Sequence, residues 1–469
     1  MTTMRFYYLF CLKSCVLFIA YSSVYAGPTS PPQTGKIPII HIYADTLPST
    51  DIGLETGRQT KALFPDIEHR YDQHLATIIK PSQYQQLLEQ NLPTLLKNMD
   101  QAYREELDGV ASAWLLTRTN KLGDGLLSLD EYHLLNLLPD LGMAPDGSGL
   151  GVMGKASGEN GPIVGRNMDW SSSPELRSLQ TLTVYHYRDK TIVNIGFAGI
   201  LSMMTGFNDQ GLFLAYFNTE AYSPYQQTYQ PPKNVRSAAF ETRKALENSH
   251  SIKQASHLLS KQAFGFSHAI LMADKKTVQV LEYPANGTAK IRTWDSATHT
   301  NRPWNRTQQI GVVDCHLLAT LPNNCNLVKD SYHWERLRDM AQFSPSQPAN
   351  VQTVSQILFD TANASYEIFN QYTLESLIFL PVSGSLYLYT TPMNGTHPSS
   401  PIHQPYLDLL PTKHRHKSSK YDLNFTLYSW LLLLTMVGIA VWVSLTPSKI
   451  IIFHMGFKKF KERLASILK

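Results

Sequence analysis

Two periodicities divide the chain. Between about residues 39 and 142, apolar residues recur every three or four positions, as in YQQLLEQNLPTLLKNMDQAYREELDGVASAWLL and SLDEYHLLNLLPDL, which predicts a mostly helical segment. Ser128, three residues before Glu131, predicts a capping box for the second of these helices. From residue 148 the runs become short and alternating or apolar throughout: PIVGRNMDW, LTVYHY, TIVNIGF, GLFLAYF, HAILMAD, VQVLEY, SLIFLP and SLYLYT. These predict strands. Helical periodicity returns in SAAFETRKALENSHSIKQASHLLSKQ, in DSYHWERLRDMAQF and in VQTVSQILFDTA, so the class is α+β with sizeable sheets.

The same patterning sets the two ends apart. Residues 1–26 combine a basic start at Arg5, an apolar run and small residues at Val24 and Ala26, the form of a signal peptide cut before Gly27. Phe425–Leu445 carries no charge and is long enough to cross a bilayer, so residues 425–446 are expected to form one transmembrane helix. Beyond it, residues 447–469 hold Lys449, Lys458, Lys459, Lys461, Arg463 and Lys469, which the positive-inside rule assigns to the cytoplasm. The main domain is then expected on the exported side, joined to the membrane by a polar linker at 393–424.

Composition changes this picture little. The chain has 469 residues and a formal charge of +4, part of it in the basic tail, which gives no reason to expect a nucleic-acid partner. Cys11 and Cys15 leave with the leader, and Cys315 and Cys325 are close enough in sequence to form a disulfide in an oxidising compartment. His414 and His416 have no companions at metal spacing and read as part of a solvated linker; no metal or cofactor is expected.

The chemistry concentrates in residues 144–170, APDGSGLGVMGKASGENGPIVGRNMDW. GLGVMG matches a dinucleotide-binding loop, but such a loop needs a strand entering its first glycine and a helix opening at its last. The flanking LLPDLGMAPDGS and KASGENGP read as a helix end with a turn and as a second turn, which weighs against it. Asp146-Gly147-Ser148 instead suits a chain that cuts itself before a hydroxyl residue, so that the freed α-amine becomes the base for that hydroxyl. Glycine tolerates the strained backbone of such a cut, and an α-amine with pKa about 8 is poised for proton transfer near neutrality. SGLGVMGKA would form a strand and PIVGRNMD its return, a hairpin bringing Arg166 and Asp169 back toward Ser148.

These motifs resemble the acyl-coenzyme A:6-aminopenicillanic acid acyltransferase family, relatives of acid ceramidase and the N-acylethanolamine amidases among the N-terminal-nucleophile (Ntn) hydrolases. YREELDGVASAW resembles its Glu-x-x-Gly-x-Ala helix, DGS its Asp-Gly-Cys cleavage point, and NGPIVGRNMDW its Gly-x-Asn-x-Asp-Trp return strand. GFAGILSMMTGFNDQGLFLAYFN, AILMADKKTVQVLEY, DSYHWERL and YTLESLIFLPVSGSLYLYT are similar to later family segments, in order, over about residues 100–392. One departure matters: the family's usual nucleophile is cysteine, and Ser148 stands in its place.

The resemblance implies a four-layer αββα sandwich cleaved at Gly147/Ser148 into an α segment of 27–147 and a catalytic β segment from 148 to 392, the two remaining associated. It implies Ser148 as nucleophile, Asp169 and Arg166 holding the amine and the substrate, and an asparagine donating to the tetrahedral oxygen. Asn301 in THTNRPW lies nearest the family spacing, with Asn323 in HLLATLPNN as the alternative. Arg336 resembles a family arginine that meets the substrate. The implied substrate is a small-molecule or lipid-derived acyl amide, met by a membrane-anchored enzyme. Hydrolysis is favoured over acyl transfer, and an inactive binding or scaffold relative is the other reading.

Overall fold

The chain is described by a computed structural model over residues 37–170, 173–219, 234–285, 287–325, 329–361 and 367–391. The expected leader, linker, transmembrane helix and basic tail lie outside the described residues. Among the described residues no helix is long and apolar enough to cross a membrane.

The segment before residue 142 is helical as its periodicity predicts, with α1 (Ser49–Leu63), α2 (Ile67–Ile78), a helical run over 81–98, α3 (Gln101–Trp114) and α4 (Leu129–Asn136). The capping box forms: Ser128 Oγ accepts from the Glu131 N–H at 3.1 Å, and Glu131 Oε2 accepts from the Ser128 N–H at 2.7 Å. This segment does not begin with a helix, however. Ile39–Tyr43 is a strand, β1, pairing in parallel with β4 (Gln180–His186) from Ile39↔Leu182 to Tyr43↔His186. Five residues are too few for a periodicity to declare itself, and the partner that fixes them lies about 140 residues away.

Two sheets follow. The larger has eight strands in the order β1-β4-β5-β6-β7-β8-β9-β10, adding β5 (Thr191–Phe197), β6 (Thr205–Asn208), β7 (Phe213–Asn218), β8 (His268–Ala273), β9 (Val278–Tyr283) and β10 (Lys290–Arg292). The smaller has five in the order β11-β2-β3-β12-β13, namely Gln309–Val312, Asp146–Val152, Ile163–Asp169, Thr373–Leu380 and Ser385–Thr390. Helices α5 (Ala238–Asn248), α6 (Ile252–Leu259), α7 (Lys329–Met340) and α8 (Val351–Leu358) flank these sheets.

Three buried clusters show how these parts stack. Tyr185, Ile192, Leu214 and Ile270 of the large sheet lie in one cluster with Leu107, Val110, Trp114 and Phe240 from helices. Val193, Phe207, Phe213 and Leu271 meet Val164, Val312, Leu377 and Phe379 in the second, between the sheets, where Phe379 sits 4.4 Å from Phe207 and 5.6 Å from Phe213, centroid to centroid. Leu150, Val152, Ile163 and Ile378 on the far face of the small sheet join Trp334, Leu337, Val354 and Leu358 from α7 and α8 in the third. Helices, sheet, sheet and helices are the four layers expected, since each sheet has two apolar faces to cover.

The helical layer is pinned by buried charge as well. Arg243 on α5 pairs with Glu106 on α3 at 2.7 Å and with Glu247 at 2.9 Å. Burial pushes the Glu106 carboxyl up to about 7, against the pull of Arg243.

Candidate active site

The hairpin expected of residues 146–169 forms: β2 pairs antiparallel with β3, with Asp146 opposite Asp169, Ser148 opposite Asn167 and Gly149 opposite Arg166. Residues facing each other across a ladder share a side of the sheet, and sides alternate along each strand. Ser148 therefore projects with Leu150 and Val152 toward α7 and α8. Gly149 and Gly151 face the other sheet, where there is no room for a side chain: a Cβ on Gly149 would lie 2.9 Å from both Leu271 Cδ2 and Phe217 Cζ, and one on Gly151 would lie 2.4 Å from Val278 Cγ1. The first two glycines of the spacing that imitates a dinucleotide loop are thus required by sheet-on-sheet packing, and the third, Gly154, sits in a turn at φ +59° against Gln308.

The Ser148 hydroxyl is buried and has no hydrogen-bond partner. It heads a row across four strands, because Asn167 is opposite Ser376 on β12 and Ser376 is opposite Tyr389 on β13. Asn167 Oδ1 and Ser376 Oγ are likewise buried without hydrogen-bond partners. Asn167 itself is held firmly, its Nδ2 donating to the carbonyl oxygens of Leu358 (2.7 Å) and Ile368 (3.1 Å). A row of unsatisfied polar atoms inside an otherwise apolar layer is costly unless it serves chemistry or water.

Arg166 points the other way, into the space between the sheets. Its guanidinium donates to Thr205 Oγ1, to Glu375 Oε1 at 3.3 Å and to the Tyr216 carbonyl at 2.8 Å, and lies 5.1 Å from the Phe217 ring centre. Burial lowers its pKa to about 10, with Glu375 and Asp169 resisting, so it remains a cation at neutral pH. Burial raises the Glu375 carboxyl to about 7, opposed by Arg166 and Thr205.

Asp169 is buried and accepts from Thr373 Oγ1 and Asn370 Nδ2, both at 2.6 Å. Asp146, across the ladder, accepts from Asn218 Nδ2 at 3.0 Å. Between them Gly147 has φ +133°, and a Cβ there would lie 2.1 Å from the Asn167 carbonyl oxygen, so only glycine fits before Ser148. The Gly147 N–H donates to Asp314 Oδ1 at 2.7 Å.

The model of the acyl-coenzyme A:6-aminopenicillanic acid acyl-transferase family matches residues 156–389. The chain belongs to this family. It is 25% identical to acid ceramidase of Homo sapiens over 246 residues, covering 50% of this chain and 60% of that protein. Among solved structures, an N-acylethanolamine-hydrolyzing acid amidase ortholog of Caenorhabditis elegans aligns at 14% identity and TM-score 0.36, covering 50% of this chain and 92% of that one. Penicillin V acylase from Agrobacterium tumefaciens aligns at 12% identity and TM-score 0.33, covering 52% and 82%.

Within this family member, the other residues singled out from sequence fall apart. Asn301 is exposed in a turn between β10 and β11, and Asn323 is exposed as well, accepting from the Cys325 N–H at 3.2 Å. Asn323 lies within the loop that a Cys315–Cys325 disulfide closes, and Asn301 lies outside it. Cys315 and Cys325 do form that bond. Arg336 on α7 is engaged with Asp360 through two bonds of 2.7 and 2.5 Å. Asp360 lies two residues beyond the end of α8, whose Leu358 carbonyl accepts from Asn167.

Sequence reasoning missed Asn167, Asp314, Glu375, Ser376 and Tyr389. Glu375 left a signal, being a carboxylate inside the apolar run TLESLIFL, where an unpaired charge would be expensive. Ser376 and Tyr389 left none, since only strand pairing aligns them with Ser148.

Proposed function

We propose that the chain is an Ntn amidohydrolase that matures by cutting its own Gly147–Ser148 bond. The observation that carries this is the Ser148 hydroxyl: buried, without a hydrogen-bond partner, and preceded by a position where the backbone admits only glycine. Ser148 Oγ adds to the Gly147 carbonyl carbon, the carbon–nitrogen bond breaks, and the hydroxyl proton passes to the departing nitrogen, leaving an ester and a free α-amine. Water hydrolyses that ester to a Gly147 carboxylate and restores the hydroxyl.

In turnover the new α-amine, with pKa about 8, takes the Ser148 hydroxyl proton as Oγ attacks a substrate amide, and gives it to the leaving amine. Water then releases the acid. Asp169 lies on the same side of the hairpin as Ser148 by register and is assigned to holding the ammonium. Arg166 orients substrate or carboxylate only after the new terminus has moved, because in the uncleaved chain it projects between the sheets. The fragments stay together: β1 precedes the cut, β4 follows it, and the two are hydrogen-bonded partners in one sheet.

The substrate class is an acyl amide, and the acid ceramidase relatives favour a lipid-derived one, reached from a membrane anchor at residues 425–446 with the main domain exported. An oxygen ester at Ser148 favours hydrolysis over transfer to a second amine. The test is the purified protein on a denaturing gel. Two fragments are expected, the larger with the N-terminal sequence Ser-Gly-Leu-Gly, and Ser148→Ala should give one intact chain. An intact wild-type chain that binds N-acylated lipids without hydrolysing them would replace the enzyme by an exported binding module.

A further inference from the structure

The strand next to β2 stops pairing just where the chain is to be cut. β11 runs antiparallel to β2 from Gln309↔Val152 to Val312↔Gly149. Two more residues of the same register would set Asp314 opposite Gly147. Instead the backbone reverses at Val313–Cys315, with the Cys315 N–H donating to the Val313 carbonyl at 2.8 Å, and the Asp314 carboxylate takes the Gly147 N–H at 2.7 Å. A side-chain carboxylate thus replaces the ladder's backbone acceptor at the residue before the cut.

The segment behind that carboxylate is fixed at several points. Cys315 is bonded to Cys325, the His316 N–H donates to Asn324 Oδ1 at 2.8 Å, and the N–H groups of Leu317 and Leu318 donate to Glu282 Oε2 at 3.1 and 3.0 Å. Gly147 contributes no rigidity of its own, since glycine samples both signs of φ freely. A charge-assisted hydrogen bond from a clamped partner is what can hold it.

We propose that Asp314 is a positioning residue for self-cleavage: by holding the Gly147 N–H it keeps the Gly147 carbonyl presented to Ser148 Oγ, while taking no part in later turnover. This rests on the self-cleavage proposed above. The bonds made and broken are those already described, with Asp314 neither gaining nor losing a proton.

The experiment follows the cleaved fraction of the full chain over time on denaturing gels, together with amide turnover per cleaved chain. Asp314→Ala is expected to slow cleavage by about tenfold or more, the scale of a lost charge-assisted hydrogen bond. Asp314→Asn, which keeps an acceptor at the same place, should recover most of the rate. Asp314→Glu keeps the charge but displaces it by a methylene, and should cleave as slowly as the alanine variant. Turnover per cleaved chain should match wild type in all three. Wild-type cleavage in the alanine and glutamate variants, or turnover falling in step with cleavage, overturns the role of Asp314 alone. A wild-type chain that never cleaves removes the maturation reading and this inference with it.

Discussion

Ser148 and Arg166 are one residue out of register on neighbouring strands, and their side chains leave the small sheet on opposite sides. Ser148 belongs to a polar row under α7 and α8, whereas Arg166 is locked between the sheets against Glu375, Thr205 and the Tyr216 carbonyl. The motif that joins them in sequence therefore separates them in the uncleaved chain, and mutations at the two sites should behave differently.

For Arg166 the first effect is on stability. Arg166→Met leaves the Glu375 carboxylate buried without its cation, a change of about 3–5 kcal/mol in urea unfolding. Adding Glu375→Gln should return most of that loss, and a double variant as unstable as the single one would show that the pair is not coupled.

Glu375 also sets a pH dependence. Its folded pKa, about 7, lies above the ordinary glutamate value of 4.5, so the folded state binds the extra proton. The associated stability is fully present below pH 4.5 and is lost as pH rises through 7. Relative to wild type, Glu375→Gln should gain in thermal midpoint between pH 4.5 and 7 and then hold level above pH 8. A difference independent of pH would contradict the assignment.

The glycines of β2 give a test that separates packing from nucleotide binding. Gly151→Ala forces a methyl group against Val278 Cγ1 and should destabilise by about 1–3 kcal/mol, as overpacked cores do. Val278→Ala in the same chain makes the room and should recover part of the loss, measured by denaturant midpoints. Retention of a nucleotide by wild type, lost in Gly151→Ala, would instead revive the dinucleotide loop.

Serine stands where the family's usual nucleophile is cysteine, so the nucleophile proposed above can be exchanged for the family's own. Ser148→Cys should still cleave at Gly147, with a faster first step because a thiolate forms more readily than an alkoxide. Intact Ser148→Cys beside cleaved wild type would mean that the buried row selects for oxygen.

The Cys315–Cys325 bond closes a short loop. Replacing both cysteines by serine should cost about 3 kcal/mol of stability from loop entropy alone, read from urea unfolding under oxidising conditions. No change in midpoint would mean that the hydrogen bonds around His316 and Glu282 already fix the loop.

How much of this was legible in the sequence depended on range. The strands of TIVNIGF and HAILMAD, the helix ends at Ser128, and the hairpin around SGENG declare themselves through contacts a few residues apart, and periodicity reads such contacts well. β1, β6 and β10 are short and are strands only because a neighbour supplies their hydrogen bonds. Asn301, matched by spacing, is exposed in a turn, and Arg336, matched by a shifted motif, pairs with Asp360.

The sequence by itself determined the α+β class, the hairpin, the Asp-Gly-Ser junction and the pairing of the two remaining cysteines, because each follows from local spacing or from residue chemistry. Tertiary structure alone decided which way Ser148 and Arg166 point, that Asn167, Ser376 and Tyr389 extend the row from Ser148, and that Asp314 reaches Gly147. These depend on the register between strands up to about 240 residues apart. A one-residue slip in that register would exchange every face, and nothing within a single strand fixes it.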